Sequence, residues 1–170
     1  MRVYLPATTS VLRTLVDDGR LTGPLTGFAV TPALRGFYAL SDAGADEEEL
    51  EYAALLAAAR ASLRLIDVDP SAARRRVVLA ADAPDTAVTE LDDPDTDRGA
   101  VRVVGDVALA HVASAHVDGA DAEDDVRAAV NVVLEADLGS DDAQFVVDQA
   151  EGHELAWYAT QEIGPALELL

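Results

Sequence analysis

The stretch from Asp46 to about Ile66 constrains the fold more than any other part of the chain. Asp46 with Glu49 three residues on is a capping-box start, in which the Asp side chain accepts an orphan N–H of the first turn and the Glu reaches back to the N-cap. Glu47, Glu48, Glu49 and Glu51 stand near the N-terminus of this helix, and Arg60 and Arg64 near its C-terminus, so both ends complement the macrodipole. Between them residues 52–59 are uncharged and apolar on every side, including Ala53–Ala54 and Ala57–Ala59, which predicts a buried helix rather than one with a wet face. Tyr52 and Leu56 share a face at i, i+4 spacing, with Leu63 two turns on, and are expected in the core. Such a helix needs other elements around it.

Those elements are legible as an alternation. Residues 3–5 read as a short strand stopped by Pro6, after which Thr8 or Thr9 caps a helix with Val11, Leu12, Leu15 and Val16 at helical spacing, ended by Gly19. Residues 27–31 read as a second strand, with Pro32 as the first residue of a short helix carrying Leu34, Arg35 and Tyr38. Residues 76–81, 101–104 and 113–118 are further strand candidates, and 107–112 is ambiguous between strand and short helix. Asp121 is expected to cap a helix with Val126, Ala129, Val130, Val133 and Leu134 on one face, and Asp141 or Asp142 a further one that Gly152 closes in the left-handed conformation. Past that glycine Leu155, Trp157 and Ala159 alternate with Ala156, Tyr158 and Thr160, a strand pattern that predicts a buried Trp157 and a Tyr158 hydroxyl offered to a neighbour or ligand. Residues 82–97 hold seven acids, two prolines and no base and read mostly as an acidic surface loop. The pattern predicts one layered α/β (or α+β) domain over residues 1–170, with a mixed sheet of about five or six strands and helices packed on it.

Charge narrows function. With 12 basic and 32 acidic residues the net charge is −20, a field of the wrong sign for direct binding to nucleic acid or to an anionic membrane. No Cys is present, which excludes disulfides, thiolate metal sites and cysteine nucleophiles. Met1 to Leu5 contain a charge and no apolar h-region, so a signal peptide is not expected, and the longest uncharged apolar run is far short of the ~20 residues of a membrane span. The expectation is a soluble cytoplasmic protein. All twelve basic residues are Arg and Ala is abundant, which suits a GC-rich genome more than adaptation to high salt.

The chemistry-bearing motifs are incomplete. His153-Glu154 opens a zinc-protease pattern whose second His falls where the chain has Trp157. Asp93, Asp95 and Asp97 open a calcium-loop pattern, but Arg98 stands where the turn glycine belongs and Val104 where the bidentate Glu belongs. No phosphate-binding glycine loop and no G-x-S-x-G elbow occurs. No metal and no cofactor is therefore expected. His116 and Asp118, two apart on one strand face, are the candidate imidazole–carboxylate pair for catalysis. If the first two strands are parallel neighbours, Thr8, Thr9, Thr31 and Arg35 gather hydroxyls, free N–H groups and a cation at one sheet edge, a candidate ligand site to which Tyr158 adds a hydroxyl.

Several blocks carry a family resemblance: MRVYLP (1–6), FAVTPALR (28–35), EEELEYAAL (47–55), AARASLRL (58–65), RRRVVLAAD (74–82), HVDGADAE (116–123) and DAQFVVDQAEGHELAWYATQEI (142–163). On these the chain resembles an uncharacterised family from actinobacteria, a domain of unknown function. The resemblance implies a high-GC source and a single cytosolic domain, and supplies no reaction, cofactor or catalytic residue. The reading that follows is of unknown function, best described as a non-enzymatic binding or regulatory module that meets a basic protein partner through its acidic surface. The alternative is a small enzyme or ligand-binding protein using Thr31, Arg35, His116 and Asp118.

Overall fold

The computed structural model describes residues 1–40, 45–91 and 97–170. Asp93 and Asp95 of the calcium-loop pattern lie outside them. The chain runs β1 (Arg2–Ala7), α1 (Thr9–Asp18), β2 (Arg20–Leu21), β3 (Leu25–Phe28), α2 (Pro32–Ala39), α3 (Glu47–Asp67), β4 (Val77–Asp82), β5 (Val88–Glu90), β6 (Ala100–Val103), β7 (Val107–Ala108), β8 (Val112–Asp118), α4 (Glu123–Val130), α5 (Val133–Asp137), α6 (Asp141–Glu151), β9 (Leu155–Ala159) and α7 (Ile163–Leu167). Among the described residues seven strands form one sheet in the order β5-β6-β3-β1-β4-β8-β9, and β2 pairs with β7 in a separate ribbon. Every pairing in the large sheet is antiparallel, so the expected mixed sheet is instead uniform and one or two strands larger.

Helices cover both faces. Odd positions of β1 and β4 (Val3, Leu5, Val77, Leu79) point to a core closed by Leu12 and Leu15 of α1 and by Ile163 and Leu167 of α7. Even positions (Tyr4, Val78, Ala80) meet Leu50, Ala54 and Ala58 of α3 on the opposite face. The C-terminal half of α3 turns Leu63 and Ile66 into a third cluster with Val126, Val133 and Val147 from α4, α5 and α6. Two buried strand faces explain why β4 reads as an unbroken apolar run rather than an alternation. The Ser62 hydroxyl of α3 is fully buried; it donates to the Ala7 carbonyl (2.6 Å) and accepts from the Val77 N–H (3.0 Å), fixing the helix to paired residues of β1 and β4.

The caps follow the sequence where side chain and spacing agree. Thr8 caps α1 and Thr31 caps α2, each accepting an N–H three residues on, and the Asp46–Glu49 capping box is complete. Gly19 ends α1 at φ 70°, a conformation that favours a residue without Cβ. Other expectations change. Ser140, not Asp141 or Asp142, caps α6, and Asp121 lies inside a 3₁₀ turn without capping α4. Gly152 is right-handed at φ −69°. The helix expected through Leu134 breaks between α4 and α5, leaving Leu134 exposed. β1 runs through Pro6 to Ala7, and segment 82–97 contributes the end of β4 and all of β5.

Tyr52 and Leu56 are not in the core: they are 59% and 37% exposed, because α3 is enclosed along its sheet side and its C-terminal half but leaves this stretch open. Leu63→Ala is therefore expected to destabilise by about 2–5 kcal/mol and Leu56→Ala by less than about 1 kcal/mol, read from denaturant unfolding of the two variants. Equal losses would contradict the placement of α3.

Candidate functional site

The residues expected to share a ligand site are dispersed. β1 and β3 are antiparallel neighbours, so the helix N-termini that follow them open at opposite ends of the sheet. Thr8 and Thr9 lie at one end with their hydroxyls committed, Thr8 to its helix cap and Thr9 to the N–H of Ala73 at 2.9 Å. Thr31 lies at the other, buried, accepting from Leu34 and donating to the Arg98 carbonyl at 2.6 Å. Arg35 is half-exposed and paired with Glu47 at 2.7 Å. Tyr158 packs against the core on the α7 side of β9.

His116 and Asp118 share a strand face but not a bond. Asp118 is held by Arg76: Nε to Oδ2 and Nη2 to Oδ1 are both 2.8 Å, and the Arg76 backbone N–H reaches Oδ2 at 2.8 Å. Both side chains are 1% or less exposed, and Arg76 Nη2 also donates to the His153 carbonyl at 2.9 Å. The signal missed in the sequence was the basic triplet Arg74–Arg76 immediately before a buried strand, whose last member must enter the core. His116 instead has its Nε2 3.2 Å from the Ser114 hydroxyl. This pairing looks like a nucleophile and its base, but Ser114 is 3% exposed and out of reach of a substrate carbonyl. The one carboxylate its strand face offers to orient the imidazole is taken by Arg76. Burial, with a smaller contribution from the Arg2 charge, lowers the His116 pKa and so disfavours the charged ring.

His116 borders a cavity of about 240 Å3 between α3 and the β8–β9 edge, lined by Tyr52, Leu55, Leu56, His153, Glu154 and Leu155, with Arg76 also on its wall. His153 is anchored by Asp125, Nε2 to Oδ2 at 2.7 Å. Trp157 pairs with His116 across the sheet and lies two residues from Leu155, so its ring stands on the same face beside this groove. It is 60% exposed, against the expectation of burial: β9 is the outermost strand, and α3 covers the sheet only farther in. Alternation identifies residues that share a face; it does not say which part of that face a helix covers.

A second opening lies where β1 and β3 part. The two strands pair at Tyr4–Phe28 alone, while β3 continues along β6 from Leu25 to Phe28. Gly27 allows the close approach at that point: a Cβ there would sit 2.7 Å from Val3 Cγ1 and 2.9 Å from Leu5 Cδ2. Beyond it, Pro6, Thr26 and Leu65 form a wall common to a cleft of about 860 Å3 and an apolar cavity of about 500 Å3. Arg60 and Arg64 border the cleft, and both are bonded to Asp137, whose carboxyl pKa is held down chiefly by the Arg64 hydrogen bond.

Among the described residues no group of three or more His, Asp or Glu is placed to hold a metal ion, and no helix is long and apolar enough to cross a membrane. A family model described as "Family of unknown function (DUF6912)" matches residues 1–167. Comparison with curated proteins and with solved structures gave no match.

Two measurements test this geometry. Asp118→Ala leaves the Arg76 guanidinium buried without its carboxylate and is expected to cost about 3–5 kcal/mol in denaturant unfolding. His116 is protonated less readily folded than unfolded, so its contribution to stability is present above the unfolded pKa near 6.5 and is lost as pH falls below it. His116→Gln should accordingly flatten the decline of Tm between about pH 7 and 5; an unchanged slope would place the ring in solvent.

Proposed function

This chain belongs to that family of unknown function, so its own geometry carries the assignment, and we propose that it is a non-enzymatic cytoplasmic binding module that takes a basic protein segment on its acidic surface. The observation that supports this is the groove beside β9. The exposed Tyr52 and the Glu154 carboxylate line it, the chain's one Trp stands exposed beside it, and Asp121 and Asp125 flank its His153, in a molecule of net charge −20. Aromatic side chains with both apolar bodies and polar tips are typical anchors of protein interfaces. The surrounding charge selects cationic partners and raises their encounter rate.

An enzymatic reading lacks support at this groove, since Ser114 is buried and Asp118 is consumed by Arg76. The small-ligand alternative is favoured by one observation elsewhere, the paired cavities at the parting of β1 and β3, and not by Thr31 and Arg35, which follow β3, or by His116 and Asp118, which lie on β8 three strands away.

Trp157 fluorescence tests the reading directly. A short peptide of alternating Lys and Val should shift its emission to the blue as the ring leaves water, and the apparent affinity should fall several-fold from about 0.05 to 0.5 M salt as screening shortens the field. The same peptide with Glu in place of Lys should leave the spectrum unchanged. Equal responses to both, or none to either, would remove the proposal.

A further inference from the structure

We infer that the partner enters as an extended strand on the free edge of β9, an inference that rests on the binding-module reading and specifies its geometry. Among the described residues β9 ends the sheet and is paired on one side, to β8. Its backbone phase is fixed by one bond: the Ala159 N–H donates to Glu162 Oε2 at 2.8 Å and so turns away from β8. Antiparallel strands alternate inward and outward pairs, and Leu155 and Trp157 therefore also turn their N–H and C=O groups outward. These are the donors and acceptors that an added strand uses.

Side chains on the edge agree with this. Natural edge strands are blunted by charges, proline or bulges. The sequence of β9, Leu-Ala-Trp-Tyr-Ala, has none, in a chain of which 26% is charged. The opposite edge strand, β5, is shorter and carries Glu90. Carboxylates bracket β9 instead: Glu154 is exposed at its start and Glu162 bonds its last N–H. An incoming strand thus meets two outward-turned residues, an apolar face carrying Trp157 and Leu155, and a negative charge at each end.

The occupant that fits is a basic segment with an apolar residue at alternate positions. A second copy does not fit. Antiparallel pairing of two β9 strands brings Glu154 of one chain toward Glu162 of the other, and each copy carries −20. The apolar residue of the basic segment would lie against Trp157, with its cations toward Glu154 and Glu162.

The test uses the full chain and three forms of the Lys–Val peptide, followed by Trp157 emission, with sedimentation to read oligomeric state. N-methylation of the alternate residues that face β9 should weaken binding at least about tenfold, because each methyl removes a donor and blocks approach. Methylation of the other set should leave affinity within about twofold. If both methylated forms bind like the parent peptide, strand addition is overturned while the basic-partner reading stands. If the parent itself does not bind, both fall together. A chain that dimerises without peptide and monomerises on Glu162→Arg would assign the edge to a second copy and overturn the inference.

Discussion

The ion pair between Arg76 and Asp118 is the constraint on which the β4-β8-β9 end of the sheet depends. Removing two charges from water costs several kcal/mol each, and attraction in the interior compensates only when geometry is good and every remaining donor is met. Here the fork of the guanidinium meets both carboxylate oxygens, the Arg76 N–H adds a third bond, and the His153 carbonyl takes another donor. Among the described residues no buried side-chain nitrogen or oxygen lacks a partner. A one-residue slip of β4 against β8 would turn the strand over and leave both charges buried and separate. The pair therefore fixes register as well as adding attraction. Through His153 it also sets where β9 begins, and with it the wall of the groove.

The remaining arginines show the same use of cations inside the molecule. Arg60 and Arg64 tie α3 to Asp137, and Arg60 continues to Glu151 and Gln144 of α6. Arg75 holds Glu123, Arg2 holds Asp82 and Arg35 holds Glu47. The half-exposed pairs Arg2–Asp82 and Arg35–Glu47 add little stability each, since water and salt screen them. Their collective effect is on the surface: twelve cations are set against thirty-two carboxylates, and many of the twelve are already engaged by the chain's own acids. Exposed Arg13 and Arg102 aside, the balance left facing solvent is strongly negative.

How far this was legible in the sequence depended on range. Local chemistry was readable because cap and backbone are neighbours: Thr8, Thr31 and the Asp46–Glu49 box act within four residues, and the extents of α1, α3 and β8, and of β4 as an unbroken apolar run, follow from the sequence pattern to within a residue or two. Relative strand direction was not, because β1 and β3 have the same pattern whether parallel or antiparallel, and that one fact dispersed Thr8, Thr9, Thr31 and Arg35. Exposure of Tyr52, Leu56 and Trp157 was equally hidden, since an apolar stretch states what can be buried and not where the covering layers end. Asp118 was expected to pair with His116, two residues upstream on the same strand face; its partner is Arg76, 42 residues upstream, which no local spacing reveals.

The unguarded edge and the strong acidity are two parts of one solution. An uncharged edge strand with an exposed Trp invites pairing between copies, and aggregation is the usual result. Charges within the strand would prevent that, but they would also occupy the alternate positions a partner's apolar side chains need. Charge placed elsewhere, at Glu154, Glu162 and across the surface, acts at a distance instead. Within a Debye length of about 8 Å like charge repels a second copy, and the same field would favour the cationic segment proposed for this edge. The backbone groups of β9 are indifferent to sequence, so discrimination has to come from the field around them. A chain in which acidic residues outnumber basic ones by 32 to 12 can keep such an edge open and still remain selective.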